Sequence, residues 1–359
     1  MRLSTLIARL VFVTSLAAAT ATFVPNCFAD SDNQRLFGDS RLIGLVPLPG
    51  YPEAVAVNKG IVYVTTPANL GIPANNSPSV VYGLDIRTGA VVKTFTIKGQ
   101  TSTVKGLACA AFDDHDNIYV LDFQQGVFKI NVNTGQQTTY ATNFPIVFHS
   151  AFNPIFPLLL NDLAFGPSGE LYISDTFQAT IWRVPPGGGT PEVWFQDPRL
   201  DGPIGPNGLR VSPDGKSVYV ITSADGNGVG RMWTLPLVSH PTAAELQLFT
   251  TFDTGSRPDG FAFGRSGRLY VALASLSQIA VLNPDGTQVM RLTGPTAQNL
   301  QNPAQSVPWA NMANIAFNDE EGTLLVSNHA TSAPVTDSAV FDVYVNDKAG
   351  MLFPKGVGN

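Results

Sequence analysis

A pattern of two short apolar strands separated by a polar turn recurs along the chain. The four clearest copies are NDLAFGPSGELYISD from Asn161, NGLRVSPDGKSVYVIT from Asn207, DGFAFGRSGRLYVAL from Asp259 and NIAFNDEEGTLLVSN from Asn314. Two weaker copies precede them, EAVAVNKGIVYVTT from Glu53 and ACAAFDDHDNIYVLD from Ala108. Runs of β-forming residues bounded by Gly, Asn and Asp are typical of strands joined by tight turns. The pattern therefore predicts six strand–turn–strand units.

A tyrosine, replaced by leucine in the last copy, marks the same position in each second strand. The markers are Tyr63, Tyr119, Tyr172, Tyr219, Tyr270 and Leu325, at spacings of 56, 53, 47, 51 and 55 residues. Further hairpin patterns lie between the copies, such as VYGLDIRTGAVVKTFTI at 81–97, where a Thr-Gly turn separates two runs of β-formers. Each unit of about 50 residues thus supplies about four antiparallel strands. We predict an all-β protein, a six-bladed β-propeller formed as a single domain by residues 30–359.

The composition agrees with this fold and excludes other classes. The chain is 44% hydrophobic and only 13% charged, with 33 glycines and 27 prolines that suit many turns. High hydrophobicity with little charge excludes a disordered chain. The net charge of −6 and the lack of any Lys/Arg cluster argue against a nucleic-acid partner, because binding to phosphates requires basic patches.

The first 29 residues predict a cleaved secretory signal peptide. Arg2 and Arg9 supply a positive start, the apolar stretch Leu10–Ala19 comes next, and small residues precede the expected cleavage point. A membrane anchor is the competing interpretation. The apolar stretch is short for a span of roughly 20 residues, and Pro25 lies only a few residues beyond its end. We therefore expect a protein exported to the periplasm or secreted, with no membrane attachment after cleavage.

Removal of this segment changes both the charge and the cysteine count. The mature chain would lose two arginines and carry a net charge of −8, and it would lose Cys27. Cys109 would then be its only cysteine, so no intrachain disulfide can form. Its apolar neighbours indicate a buried, unreactive thiol.

One position in each copy carries a side-chain oxygen. When the copies are aligned on their markers, the residues that open the first strand are Glu53, Ala108, Asn161, Asn207, Asp259 and Asn314. The first strand of each blade lines the channel of a propeller, so these positions converge on one ring at the channel mouth. Carboxylate and amide oxygens are ligands for hard cations such as Ca²⁺ or Mg²⁺. For any one of these residues taken alone, an ordinary turn role remains the alternative.

Four tripeptides at these positions resemble those of the SMP-30/gluconolactonase family of six-bladed propeller lactonases, which is related more distantly to the paraoxonases. They are Pro52-Glu53-Ala54, Asn161-Asp162-Leu163, Pro206-Asn207-Gly208 and Pro258-Asp259-Gly260. The resemblance implies that Glu53, Asn207 and Asp259 hold one divalent cation. It places Asn161 at or beside the metal and close to substrate, together with Asp162. Ca²⁺ is the first expectation, with Mg²⁺ or Zn²⁺ as alternatives.

The resemblance also implies a reaction, the opening of a small lactone or a related ester by metal-activated water. Asp259 is then the residue expected to take the proton from water. Sugar-lactone members often carry an arginine where this chain has Leu159, within an apolar run, so a less polar substrate is expected. Packing of that run between blades is the alternative.

Three further residues are candidates for substrate contact. Asn314 opens the last copy, His149 lies in a long insertion before the third blade, and His329 follows the second strand of the last copy. We expect the two histidines to overhang the channel mouth.

Two other functions remain open for a propeller of this kind. One is a non-catalytic, NHL-like module that binds a ligand or a partner protein, and the other is a strictosidine-synthase-like enzyme. The oxygen-bearing positions favour the hydrolase, since neither alternative needs a metal at the channel mouth. The chain has no Gly-x-Ser-x-Gly motif that would indicate a serine hydrolase.

Overall fold

The computed structural model describes residues 35–67, 78–100, 106–295 and 307–353. The predicted signal peptide, residues 1–29, lies outside these ranges, and its cleavage stays a prediction. In the described ranges, no helix is long and apolar enough to cross a membrane.

The described residues form six four-stranded antiparallel sheets, so the predicted six-bladed β-propeller is confirmed. Blade 1 contains β2 (Val55–Asn58), β3 (Ile61–Thr65), β4 (Val80–Asp85) and β5 (Val91–Thr96). Blade 2 contains β6 (Leu107–Phe112), β7 (Asn117–Asp122), β8 (Gly126–Asn131) and β9 (Gln137–Ala141). Blade 3 contains β10 (Leu160–Phe165), β11 (Leu171–Asp175), β12 (Thr180–Val184) and β13 (Glu192–Gln196).

The remaining blades have the same order from the channel outwards. Blade 4 contains β14 (Ile204–Val211), β15 (Ser217–Ala224), β16 (Arg231–Pro236) and β17 (Gln247–Thr251). Blade 5 contains β18 (Pro258–Phe263), β19 (Leu269–Leu273), β20 (Gln278–Leu282) and β21 (Gln288–Thr293). Blade 6 contains β22 (Met312–Asn318), β23 (Thr323–Asn328), β24 (Ala339–Tyr344) and the N-terminal strand β1 (Ser40–Leu45). Short 3₁₀ turns lie at Pro198–Leu200, Ala243–Glu245, Ala274–Leu276 and Val335–Asp337.

The first and last parts of the chain meet in blade 6. Strand β1 pairs antiparallel with β24, from Ser40 opposite Val343 to Leu45 opposite Ala339. The N-terminal strand therefore supplies the outer strand of the last blade and joins the two ends of the propeller. This closure leaves the sheets with only short edges.

The cores lie between adjacent blades. Between blades 2 and 3, the ring of Tyr119 packs edge-on against Phe165 with centroids 4.9 Å apart, and Trp182 is fully buried. The marker tyrosines Tyr63, Tyr119, Tyr172 and Tyr270 are among the largest fully buried side chains, and their burial explains why they recur. Each blade therefore buries its apolar faces only against its two neighbours.

A cavity of about 480 Å³ lies at the end of the channel where the inner strands finish. Phe112, Phe165 and Phe263 line it, and Leu352 and Phe353 of the C-terminal segment reach it. The candidate site residues stand at the opposite end of the inner strands, where these strands begin.

Candidate functional site at the channel mouth

A β-bulge occurs at the start of the inner strand in blades 2 to 6. There, two inner-strand residues lie opposite one residue of the second strand. The bulged pairs are Ala108-Cys109, Asn161-Asp162, Asn207-Gly208, Asp259-Gly260 and Ala313-Asn314. A bulge bends a strand and redirects its side chains, and it is common beside active sites. We call the first residue of each pair, together with Glu53 of blade 1, the mouth ring.

The register corrects the sequence prediction at Asn314. In blade 6 the marker Leu325 pairs with Ala316, and the mouth-ring position three residues earlier is Ala313. The hairpin turn of blade 6 is one residue longer than those of blades 2, 3 and 5, which shifted the sequence alignment by one. The mouth ring therefore has four oxygen-bearing residues, Glu53, Asn161, Asn207 and Asp259, not five.

Left-handed backbone precedes the mouth ring in four blades. Two residues before the ring position, φ is 54° at Tyr51, 106° at Gly106, 48° at Arg257 and 50° at Asn311. Non-glycine residues pay roughly 1–2 kcal/mol for this conformation, so it persists only where the surroundings enforce it. The bend turns the chain from the connecting loop into the channel.

Hydroxyl groups of the second strands fix three mouth-ring backbones. Thr65, Ser174 and Ser327 donate to the carbonyl oxygens of Ala108, Asn207 and Glu53, respectively. The last two hydrogen bonds are 2.6 and 2.9 Å long. Each bond runs from one blade to the ring residue of the next, so blade packing sets the positions of the ring residues.

Glu53 and His329 meet at the mouth. The Nδ1 atom of His329 lies 2.9 Å from Oε2 of Glu53, at ion-pair distance but without the geometry of a hydrogen bond. The ring of Tyr51 packs edge-on against the imidazole, with centroids 6.4 Å apart. Glu53 Oε2 and His329 Nε2 are both buried without a hydrogen-bond partner. His329 Nε2 is therefore the one of these two atoms that has neither a hydrogen bond nor an ion pair within the described residues.

Asp259 is half-buried and lies within electrostatic reach of Glu53. Burial raises its pKa well above the ordinary value, and the charges of Glu53 and Asp162 raise it further. A hydrogen bond from the Asn207 side chain opposes this rise. Asn207 also donates through Nδ2 to Ser223 Oγ at 3.0 Å. The mouth thus concentrates negative charge in a region of low solvent exposure.

Asp162 lies behind the mouth ring and is 1% exposed. Its Oδ2 atom accepts from Arg210 Nη1 at 2.6 Å and from the Leu209 amide at 2.9 Å, while Oδ1 accepts from the Leu163 amide at 2.8 Å. Arg210 Nη2 in turn donates to Asn314 Oδ1 at 3.1 Å. The oxygens of Asp162 and Asn314 therefore already have partners within the protein, which favours a structural role, and substrate contact by these two residues stays a prediction.

Arg210 is a residue that the sequence interpretation missed. It pairs with the marker Tyr219, and the equivalent positions in the other blades are all alanine: Ala56, Ala111, Ala164, Ala262 and Ala316. All six residues line the cavity at the far end of the channel. The five alanines leave space for one long side chain, and the single arginine in this alanine pattern is the sequence signal that would have revealed it.

The two remaining predictions concern the insertion before blade 3. Leu159 is 6% exposed and packs in the core between blades 2 and 3, so the packing alternative is correct for Leu159, whereas Ile155 at the start of the same run is exposed. His149 is exposed on the loop that leads to β10, at the mouth end of blade 3. The structure brings His329, and not His149, into contact with a mouth-ring residue.

The donor atoms of the mouth ring fit a hard divalent cation. Within the described ranges, no group of three or more His, Cys, Asp and Glu side chains is placed to hold a metal ion, so amide oxygens would have to complete a site at the mouth ring. Two carboxylates and two amides are oxygen donors of the kind that Ca²⁺ takes. A cation there would offset both the burial and the Glu53 charge that raise the pKa of Asp259.

Several solved structures share the fold. A calcium-binding protein, regucalcin, from Agrobacterium tumefaciens is 18% identical with a TM-score of 0.63, and the match covers 90% of this chain and 98% of that one. A gluconolactonase from Xanthomonas campestris is 16% identical with a TM-score of 0.57, at 86% and 90% coverage. A luciferin-regenerating enzyme is 13% identical with a TM-score of 0.59, at 88% and 98% coverage. At these identities the similarity shows the fold alone.

Among proteins with curated descriptions, none matches the sequence. The family model described as SMP-30/Gluconolactonase/LRE-like region matches residues 74–308, more than half of the chain. Because this match runs from before the third strand of blade 1 through blade 5 and the fold agrees with it, the chain belongs to the SMP-30/gluconolactonase/LRE-like family.

Proposed function

We propose that this protein hydrolyses a lactone, or a related carboxylic ester, at the mouth ring. The observation that carries the proposal is the convergence of Glu53, Asn161, Asn207 and Asp259 from four blades on one end of the channel. Family membership supports it, as does the fold shared with a gluconolactonase. A purely adhesive propeller would have no need for two carboxylates that repel each other at a buried position.

Glu53, Asn207 and Asp259 would hold one divalent cation, with Asn161 beside it. Ca²⁺ suits the oxygen donors best, and Mg²⁺ or Zn²⁺ are alternatives. The choice of Ca²⁺ is supported by the similar fold of regucalcin, which is described as a calcium-binding protein. When bound, such a cation polarises a carbonyl group and lowers the pKa of water.

The residues of the chain then have distinct tasks. Asp259 accepts a proton from the water that adds to the carbonyl carbon. The ring C–O bond breaks, and the proton passes to the leaving alkoxide, so the product is a hydroxy acid. Asn161 orients the substrate by its amide. His329 faces the mouth through the unpartnered Nε2 atom and offers a hydrogen bond to a bound lactone.

The test combines metal analysis with turnover. We expect the purified protein to bind about one equivalent of Ca²⁺ and to hydrolyse lactones or aryl esters, with activity lost on chelation and restored by the metal. Asp259→Asn should abolish both binding and turnover. Asp253→Asn is the matched control, because the side chain of this aspartate is 65% exposed and pairs with Arg291 at the surface.

Three results would overturn the proposal. Hydrolysis that survives complete metal removal would exclude the mechanism, and full activity in Asp259→Asn would exclude the site. Absence of turnover on any lactone or ester would favour the ligand-binding alternative.

We also propose that the protein is exported. The support is the positive start and apolar stretch of the first 29 residues. Fractionation of expressing cells, followed by N-terminal sequencing, should give a mature protein in the periplasm or the medium. A cytoplasmic protein with its N-terminus intact would contradict this.

A further inference from the structure

The loop that joins blade 2 to blade 3 exposes apolar side chains beside the mouth ring. Residues 142–160 contain no Lys, Arg, Asp or Glu. Ile146, Val147, Phe152 and Ile155 are exposed on this loop, and Ile155 is 79% exposed. We call these four residues the apolar wall. Several exposed apolar side chains on one uncharged loop are a feature of binding sites.

The contacts of the loop place the apolar wall over blades 3 and 4. Asn153 Nδ2 donates to the carbonyl oxygen of Gly202, which precedes β14, at 3.3 Å. The ring of Phe152 lies beside Gly226, which follows β15, and a Cβ added to that glycine would come within 3.1 Å of the ring. Both glycines lie at the mouth end of blade 4. The wall therefore flanks the same face as Asn161 and Asn207.

Hydrogen bonds hold the loop in place from behind. The Oε1 atom of Gln178 accepts from the amides of Val147 and Phe148 at 2.6 and 3.2 Å, and its Nε2 atom donates to the carbonyl of Pro145 at 3.1 Å. Asp175 holds Gln178 at 2.9 Å and accepts from the Leu159 amide at 3.2 Å.

The loop also contains three prolines, Pro145, Pro154 and Pro157, each of which fixes its own φ. Its conformation is therefore largely set before any ligand arrives. A preformed apolar surface binds a ligand with little further loss of conformational entropy.

We propose that the apolar wall is the subsite for an alkyl or aryl substituent of the substrate. This inference rests on the proposed function of the mouth ring. The polar carbonyl would lie at the ring while the substituent lies along the wall. A sugar lactone would instead place hydroxyl groups against side chains that offer them no hydrogen bonds, at a cost in binding. The substrate class is therefore an apolar-substituted lactone or ester.

Chain length gives a measurable consequence. Full burial of one methylene group is worth about fourfold in affinity, and burial on one side about twofold. Hydrolysis of a five-membered lactone with no substituent, a propyl or a hexyl group should therefore show kcat/KM rising by about 10- to 100-fold across the series. The double variant Phe152→Ser/Ile155→Ser should reduce the ratio between the hexyl and unsubstituted substrates by about tenfold.

Met351→Ser is the matched control. Met351 is also apolar and 65% exposed, but it lies in the C-terminal segment, away from the mouth. We expect this variant to keep the hexyl preference of the native protein. If the native protein turns over lactones with no dependence on chain length, or if the double variant keeps the full ratio, the subsite is excluded while the hydrolase stands.

A binding measurement separates the subsite from the hydrolase. A hexyl-substituted lactam, the amide analogue of the lactone, resists hydrolysis, and its Kd can be measured by calorimetry whether or not the protein has activity. We expect the double variant to bind it about tenfold more weakly and Met351→Ser to bind it as tightly as the native protein. Equal affinity in all three proteins would overturn the inference. Loss of binding to neutral lipid vesicles in the double variant, with lactam affinity unchanged, would assign the wall to a lipid surface instead.

Discussion

Removal of the Arg210 charge is the sharpest test of how the channel is stabilised. Arg210→Met keeps much of the volume of the side chain but eliminates the guanidinium hydrogen bonds to Asp162 and to the Leu209 carbonyl, both at 2.6 Å, and to Asn314 at 3.1 Å. Asp162 keeps its bonds to the Leu209 and Leu163 amides, yet its charge is left without a counterion at 1% exposure. Burial of a carboxylate is costly unless it is paired.

The expected loss follows from this burial. Loss of one partner from a buried ion pair costs about 3–5 kcal/mol, and the low exposure of both side chains, 1% and 16%, places this pair in that class. The double variant Arg210→Met/Asp162→Asn removes both charges together. It should be only about 1–2 kcal/mol less stable than the native protein. The double variant should thus be more stable than Arg210→Met alone by about 2–3 kcal/mol.

Urea unfolding, followed by the fluorescence of the buried tryptophans, measures these differences. Arg291→Met is the surface control, because its partner Asp253 is 65% exposed, and such a pair should contribute less than about 1 kcal/mol. A loss below about 1 kcal/mol in Arg210→Met would refute the reasoning. So would a double variant that is as unstable as the sum of its single changes, since additivity would mean that the two charges do not interact.

The other predictions concern the bulges, a buried carboxylate and the cation. Gly208→Ala should destabilise the protein by about 1–3 kcal/mol and weaken cation binding, because a Cβ there would come within 2.2 Å of the Asp259 carbonyl oxygen. Urea unfolding and calcium titration measure the two effects, and an unchanged free energy of unfolding with an unchanged calcium affinity would contradict the prediction. Burial raises the pKa of Asp175 to about 6, so the stability that its neutral form supplies is complete below about pH 4 and lost as the pH rises through 6. Between pH 4 and 7, the free energy of unfolding of the native protein should fall by about 3 kcal/mol more than that of Asp175→Asn. If both proteins show the same pH dependence, the pKa of Asp175 is not raised. Saturating Ca²⁺ should raise the melting temperature of the native protein but not that of Glu53→Gln, because a ligand that binds the folded state stabilises that state. An equal rise in both proteins would mean that the cation binds at another site.

Local sequence patterns determined most of the architecture. The marker residues lie in the second strands, where they pair with the inner strands at one equivalent position in every blade. Four oxygen-bearing residues of the mouth ring were predicted at their observed register. These features depend on strand periodicity and turn chemistry within about 15 residues, which a single sequence contains.

Only the tertiary structure decided the rest of the site. The longer hairpin of blade 6 moved the ring position from Asn314 to Ala313, and a turn length is not fixed by the flanking pattern. Arg210 meets Asp162 and Asn314 only because closure brings blades 3, 4 and 6 around one channel. The apolar residues from 146 to 155 appear in the sequence as ordinary core, and only packing shows that they remain exposed. The repeat thus fixes each blade from local interactions, whereas contacts such as Arg210 with Asn314, 104 positions apart, and Ser327 with Glu53, 274 positions apart, depend on closure of the whole propeller.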